Sequence, residues 1–209
     1  THHRSSAASD VYKRQPLNAI RIFNARIQSN PSDANYYGLA LSHSNNNNYS
    51  ESIKIINQLI AKYPKNLVLN NTKVDILEAA GKYDDALNLV NKLLDISPRN
   101  YPLSISKSKI LLRIGKKFEA EEIIRDQLIR KNRDPELWLL LSEIQRAGQN
   151  IVGYHQSRAE YFLLLGQNEK ALNQLEFALQ LTQNNFQVSE RIMTKIVDIK
   201  KVLNTSRGL

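Results

Sequence analysis

Apolar residues recur along this chain at spacings of three and four, the period of a helix, not in the alternation of a half-buried strand. Ile53, Ile56, Leu59 and Ile60 fall on one helical face, as do Ala86, Leu89, Val90, Leu93 and Leu94. Gly, Pro and Asn interrupt the pattern at short intervals. They divide it into about eleven helices, at 17–29, 33–44, 49–62, 67–80, 83–95, 101–114, 117–130, 134–147, 151–165, 168–182 and 186–203. Asn-Gly hairpin signals are absent. The pattern predicts an all-α protein, an α-solenoid of antiparallel helix pairs in which each pair packs on its neighbours.

The punctuation is periodic. Gly81 and Gly115, Ala86 and Ala120, and Pro64 and Pro98 are each 34 residues apart. Each marker has a physical reason. A small residue such as Ala86, Ala120 or Ala171 sits where two helix backbones approach closely. Gly81, Gly115 and Gly166 can take the positive φ that suits a helix C-terminus. Pro64 and Pro98 lack an N–H and stop the helix before them. Tyr49, Tyr83 and Phe118 are expected to fill the space between adjacent helices. These marks resemble the tetratricopeptide repeat. The spacing slips after Gly115: Gly148 and Gly166 are only 18 apart, so helix 151–165 can be counted as either member of a pair. Asp134-Pro135 opens the helix before it with a cap and a first-turn proline. The run Asn45–Asn48 reads as a solvated turn between helices, with a ligand-touching loop as the alternative.

Composition narrows the chemistry. At 42% hydrophobic and 23% charged residues, the 209-residue chain can build a packed core. With no Cys, disulfides, thiol nucleophiles and thiolate zinc sites are excluded. No apolar run exceeds five residues, as in Leu137 to Leu141, against roughly 18 for a membrane helix, so no membrane insertion is expected. The net charge of +9 suggests acidic partners. No nucleic-acid motif accompanies it, and outside 99–117 the cations are interspersed with Asp and Glu, so nucleic acid is not expected as the partner. Ser5 to Gln15 looks like translated adaptor or vector sequence. Residues 1–15 are therefore expected to be non-native, or else a disordered N-terminus. Residues 16–32 would form a connector helix, or else the second helix of a truncated repeat with Ala19, Phe23 and Pro31 in phase, 33–203 the repeat solenoid and 204–209 a tail.

Longer stretches carry a more particular resemblance. Tyr37-Gly38-x-Ala40-Leu41 with Asn48-Tyr49-x-Glu51-Ser52 comes first, then Trp138-x-Leu140-Leu141-Ser142-Glu143. Next is Arg158-Ala159-Glu160-Tyr161-Phe162-Leu163-Leu164-Leu165-Gly166, followed by Lys170-Ala171-Leu172-x-Gln174-Leu175 and Glu190-Arg191-Ile192-x-x-Lys195-Ile196. In this order, over about residues 33–203, they resemble the C-terminal tetratricopeptide domain of the β-barrel assembly-enhancing metalloproteases, periplasmic zinc peptidases. That resemblance implies a periplasmic interaction domain (a cytoplasmic one on the alternative reading) serving outer-membrane protein assembly and quality control. Its implied partners are β-barrel precursors or their assembly machinery, and a protease domain in the parent chain. The family's zinc helix, His-Glu-x-x-His, is missing here: His43 is followed by Ser-Asn-Asn-Asn and His155 by Gln-Ser-Arg-Ala. Zinc is then expected only in a catalytic domain outside this chain. The chain itself is expected to bind no cofactor and to cleave nothing. The alternative is a general tetratricopeptide adaptor unrelated to proteolysis.

In such arrays the first helix of each pair lines the binding groove. The repeat register points to Asn71, Asp75 and Glu78, then Lys109 and Arg113, then Glu143 and Arg146, as the groove for a protein or an extended peptide. A solvated helix face is the competing reading of the same charges. The Lys-Asn, Asn, Lys-Arg set that grips a chaperone's terminal carboxylate is not found. Trp138, Tyr161, Phe162 and Phe177 are expected to pack between helices, with a recognition aromatic as the alternative reading of Trp138.

Overall fold

The computed structural model describes residues 3–182 and 185–207, with side chains over 15–182 and 185–205. Among them run eleven helices and no strand: α1 (His3–Ser29), α2 (Asp33–Asn45), α3 (Tyr49–Lys62), α4 (Leu67–Ala79), α5 (Tyr83–Ile96), α6 (Tyr101–Arg113), α7 (Lys117–Arg130), α8 (Pro135–Ala147), α9 (Ile151–Leu164), α10 (Asn168–Gln180) and α11 (Phe186–Arg207). The all-α expectation and its helix boundaries are met nearly everywhere. At the N-terminus the backbone is helical from His3, with Pro16 inside α1, and does not start at 17. Residues 1–2 and 208–209, which fall in the expected leading segment and tail, lie outside the described residues.

The turns explain the periodicity. Asn47, Gly81, Gly115 and Gln149, spaced 34 apart, all have φ between 60° and 83°. Each closes its helix with the same pair of backbone bonds. At Gly81, for example, its own N–H bonds the Glu78 carbonyl and the Lys82 N–H reaches back to Leu77, both at 2.9 Å. This is the Schellman arrangement, which satisfies helix-end carbonyls through one left-handed residue. Gly166 does the same with φ 70°, only 17 residues after Gln149. The slip is therefore half a repeat, and Gly148 (φ −79°), taken from sequence as the turn glycine, is not the left-handed residue. Three-residue turns of this kind lie on both sides of α9, whereas from α2 to α8 they alternate with four-residue turns. Helix α9 is accordingly the second helix of one pair and the first of the next, and it packs along both α8 and α10.

Crossings within pairs recur 12 residues apart: Ala40 with Ser52, Val74 with Ala86, Ser108 with Ala120, Gln145 with Ser157, Ala159 with Ala171, all buried. Where serine replaces alanine, its hydroxyl is satisfied across the crossing. Ser52 Oγ donates to the Ala40 carbonyl at 2.7 Å and Ser108 Oγ to the Ala120 carbonyl at 3.0 Å. Large apolar side chains fill the rest of each interface, each worth about 1.5–3 kcal/mol when fully buried.

The chain divides into two compact units, Thr1–Ser106 and Lys107–Leu209. In the first, α1 lays Ile20, Phe23 and Ile27 against Leu39, Ala40 and Ile55. Phe23 sits where a side chain on Gly38 would be, 2.3 Å from an ideal Cβ. In the second, Ala159, Ala171, Leu175, Ala178, Ile192, Ile196 and Ile199 join α9, α10 and α11.

Two aromatic expectations fail. Phe118 is 84% exposed, because the position 34 residues after Tyr83 is Lys117, and one residue further on turns the ring about 100° off the packed face. Phe177 is 52% exposed, off the stripe of Ala171, Leu175 and Ala178. Tyr49 and Tyr83 are half-buried, as are Tyr161 and Phe162.

Candidate functional site

Of the residues expected in a groove, the first unit brings two together. Asn71 Nδ2 donates to Asp75 Oδ2 at 3.1 Å, and Ser106 Oγ on α6 donates to Asp75 Oδ1 at 2.7 Å. Glu78, half-buried, follows one turn later on α4. In the second unit Lys109 and Arg113 lie exposed on α6, and Glu143 and Arg146 lie exposed on α8. None of these four lines a cavity described in this unit.

The cavities lie on the other face of α8 and across α9. Trp138 and Gln145, seven residues apart on one stripe of α8, line a hollow of about 230 Å³ with Arg125 of α7, Glu160 of α9, Leu175 of α10, and Arg191, Ile192 and Lys195 of α11. A second hollow of about 450 Å³ is lined by Asn150, Val152, Leu181, Thr182, Asn185 and Val188. Both share Arg125, Gly153 and Gln156, so they adjoin as two hollows of one groove over α9. Its floor is the stripe Gly153, Gln156, Ser157 and Glu160, at helical spacings of three and four. Gly153 keeps that floor low: a Cβ there would lie 2.6 Å from the Asn150 side-chain nitrogen, and Asn150 Oδ1 already accepts from the Gly153 N–H at 3.0 Å.

A buried polar chain supports the groove from below. Ser157 Oγ donates to Gln145 Oε1 at 2.7 Å, Gln145 Nε2 donates to Glu121 Oε1 at 3.1 Å, and Arg125 donates to the same oxygen from Nε (2.9 Å) and Nη2 (2.6 Å). Gln145 is 1% exposed and has both ends of its amide satisfied, which fixes α7, α8 and α9 relative to one another. Trp138 is half-buried, and its indole Nε1 donates to the Asn132 carbonyl at 2.8 Å. The ring is thus anchored at its polar end and presents apolar surface to the groove.

The rim is basic. Lys195 Nζ contacts Glu160, and desolvation pulls the Lys195 ammonium below its ordinary range. Arg191 has no hydrogen-bond or ionic partner among the described residues. With Arg125 on Glu121 and Lys195 on Glu160, one uncompensated guanidinium remains beside Leu175, Ile192 and the Trp138 ring.

Sequence reasoning named none of these groove-lining residues as a site, and it held Trp138 as a recognition aromatic only as the alternative to packing. The polar stripe on α9 was a readable signal, since Gly153, Gln156 and Glu160 recur at spacings of three and four. The meeting of Glu160 with Lys195, 35 residues on, was not readable. Among the described residues, no three His, Cys, Asp or Glu side chains gather as a metal site, and no helix is long and apolar enough to cross a membrane.

Comparison with known proteins agrees with this geometry. The sequence profile of the tetratricopeptide repeat matches residues 77–144. No curated protein matches the chain. Several solved structures share the fold. TTC0263, a thermophilic TPR protein of Thermus thermophilus, is 18% identical with a TM-score of 0.53, covering 88% of this chain and 91% of that one. BtubC from P. vanneervenii is 9% identical with a TM-score of 0.58, covering 93% and 92%. A chain of the Naa15/Naa10 structure bound to HypK-THB is 20% identical with a TM-score of 0.51, covering 82% of this chain and 30% of that one. From the 34-residue turns, the small-residue crossings, the profile match and the shared fold, the chain carries a tetratricopeptide-repeat domain, an α-solenoid of antiparallel helix pairs.

Proposed function

We propose that this chain is a non-catalytic scaffold that holds a protein or an extended peptide. The observation that carries the reading is the groove over α7 to α11. It has an anchored aromatic wall, a floor along α9 at Gly153, Gln156 and Glu160, an unpaired guanidinium, and a polar chain through the buried Gln145 that keeps it preformed. A preformed groove costs little ordering entropy on binding. The groove of the first unit would use Asn71, Asp75 and Glu78. In the second, Lys109, Arg113, Glu143 and Arg146 would add contacts on exposed faces.

The finer reading rests on the sequence resemblance. The scaffold would work in the periplasm as the interaction domain of a zinc metalloprotease, receiving outer-membrane β-barrel precursors or contacting their assembly machinery. The test is binding of a urea-solubilised outer-membrane β-barrel protein, diluted onto the immobilised chain. Saturable binding is expected. No binding, with helical circular dichroism intact, would remove the barrel reading. Specific capture of cytosolic proteins in parallel would favour a general adaptor.

A further inference from the structure

We infer that the α7–α11 groove takes an internal, extended segment of a partner protein in which acidic residues alternate with apolar ones; this rests on the scaffold reading and narrows it. Four observations carry it.

First, the groove is two adjoining hollows that share Arg125, Gly153 and Gln156, with volumes of about 230 and 450 Å³. That space suits a chain passing through, not one residue ending in a socket.

Second, the charges are cationic and distributed. Arg125 comes from α7, and Arg191 and Lys195 are one turn apart on α11. Two of the three have carboxylate partners within the protein and Arg191 has none among the described residues. A guanidinium with free donors beside apolar surface is matched by a carboxylate, which it can hold through two parallel bonds. The Lys195 ammonium, already partly desolvated, gains from a second anion.

Third, Trp138, Leu175 and Ile192 give the same hollow an apolar wall. An acidic residue flanked by apolar ones presents charge and apolar surface a few ångströms apart, because successive side chains of an extended segment point to opposite sides.

Fourth, Gln156, on the floor shared by the two hollows, has no hydrogen-bond partner among the described residues. Its amide offers a donor and an acceptor to a passing main chain.

The chain contains a single tryptophan, so its emission reports on Trp138 directly. The full chain is titrated with a blocked seven-residue peptide, acetyl-Ala-Phe-Glu-Val-Glu-Phe-Ala-amide. The same peptide with both Glu replaced by Gln, and that Gln peptide with a free C-terminal carboxylate, serve as the other two arms. The expected result is saturable binding of the Glu peptide, about tenfold or more tighter than the blocked Gln peptide, weakening as salt is raised. Arg191→Gln should lose about tenfold in affinity, while Lys92→Gln, which removes an exposed charge on α5, should leave binding unchanged. Helical circular dichroism of each variant accompanies the titration, and Lys195→Gln provides a second groove variant.

Equal binding of the Glu and blocked Gln peptides would overturn the inference. So would unchanged affinity in both groove variants, or a free-carboxylate Gln peptide binding as tightly as the Glu peptide, which would make a chain terminus the ligand. If no peptide binds but the β-barrel protein is still captured, this inference falls and the scaffold reading stands. If capture is also lost, this inference and the barrel reading both fall.

Discussion

Four turns at 34-residue spacing each demand one left-handed residue, and only two of the four are glycine. Asn47 tolerates that conformation because its short amide bonds locally. Gln149, at φ 61°, has no such excuse. A side chain in the left-handed region costs roughly 1–2 kcal/mol. Glycine returns part of that gain, about 0.5–1 kcal/mol, through its greater freedom in the unfolded chain. Gln149 is exposed, so removing its side chain forfeits no packing. Gln149→Gly should therefore stabilise by about 0.5–1 kcal/mol, or a few degrees in thermal midpoint for a chain of this size. Gly148→Ala is the control. Its φ is −79°, an ordinary value, and a Cβ there would sit 3.3 Å from the Ile144 carbonyl oxygen, so the change should stay within about 0.5 kcal/mol of neutral. Gly115→Ala, at φ 83°, should cost about 1 kcal/mol or more. Thermal melts followed by circular dichroism read all three. If Gln149→Gly lowered the midpoint while Gly148→Ala also cost more than a kilocalorie, the left-handed residue would be Gly148. The slip would then be 18 residues and not half a repeat.

Other expectations follow from the same packing. Ala86→Leu or Ala120→Leu should overpack a fully buried crossing and cost roughly 1–3 kcal/mol, read as a drop in midpoint; no drop would mean the crossings lie elsewhere. Gly38→Ala must displace the Phe23 ring and should cost a similar amount, about 1–3 kcal/mol, with Phe23→Ala on the same background adding less than it does alone. Ser108→Ala removes the bond to the Ala120 carbonyl and should cost about 0.5–1.5 kcal/mol in denaturant melts. Asp33 is held below the usual carboxylate range, first by its bond from Lys62 and then by that from Tyr63. A depressed acid contributes stability above its unfolded value that is lost as pH falls through the folded one. Acid titration should therefore show a loss below about pH 4 that is smaller in Tyr63→Phe.

What was legible in the sequence was whatever the backbone needs locally. Helix boundaries at Pro64 and Pro98, left-handed turns at Gly81, Gly115 and Gly166, and close crossings at Ala86, Ala120 and Ala171 each follow from one residue's own steric limits. The errors came where a neighbour at the next position carried the feature. Gly148 is a better turn residue than Gln149 in isolation, yet the repeat period and its Schellman bonds set the left-handed site at 149. Phe118 has the right chemistry for Tyr83's place but is offset by one. The groove was harder still. The register rule for first helices picks outward positions on α8 such as Glu143 and Arg146, whereas the hollow opens on the stripe through Trp138 and Gln145.

That displacement has a structural cause in the half-repeat slip. A regular array gives each helix one role, as the first or the second member of a pair. Helix α9 has two: it turns Ser157 toward Gln145 of α8, and Ala159 and its neighbours toward Ala171 and the α10–α11 core. Two faces of a helix of about 10 Å diameter are thereby consumed. The stripe left over is Gly153, Gln156 and Glu160, which now lies between α8 on one side and α11 on the other. Helix α11 closes over this stripe through Ile192 while aiming Arg191 and Lys195 along its edge. The slip thus converts what would be an inter-pair seam into a floor with two walls. On α9 the positions left between its two packed interfaces are small or hydrophilic, while α8 contributes the aromatic ring and α11 the cations.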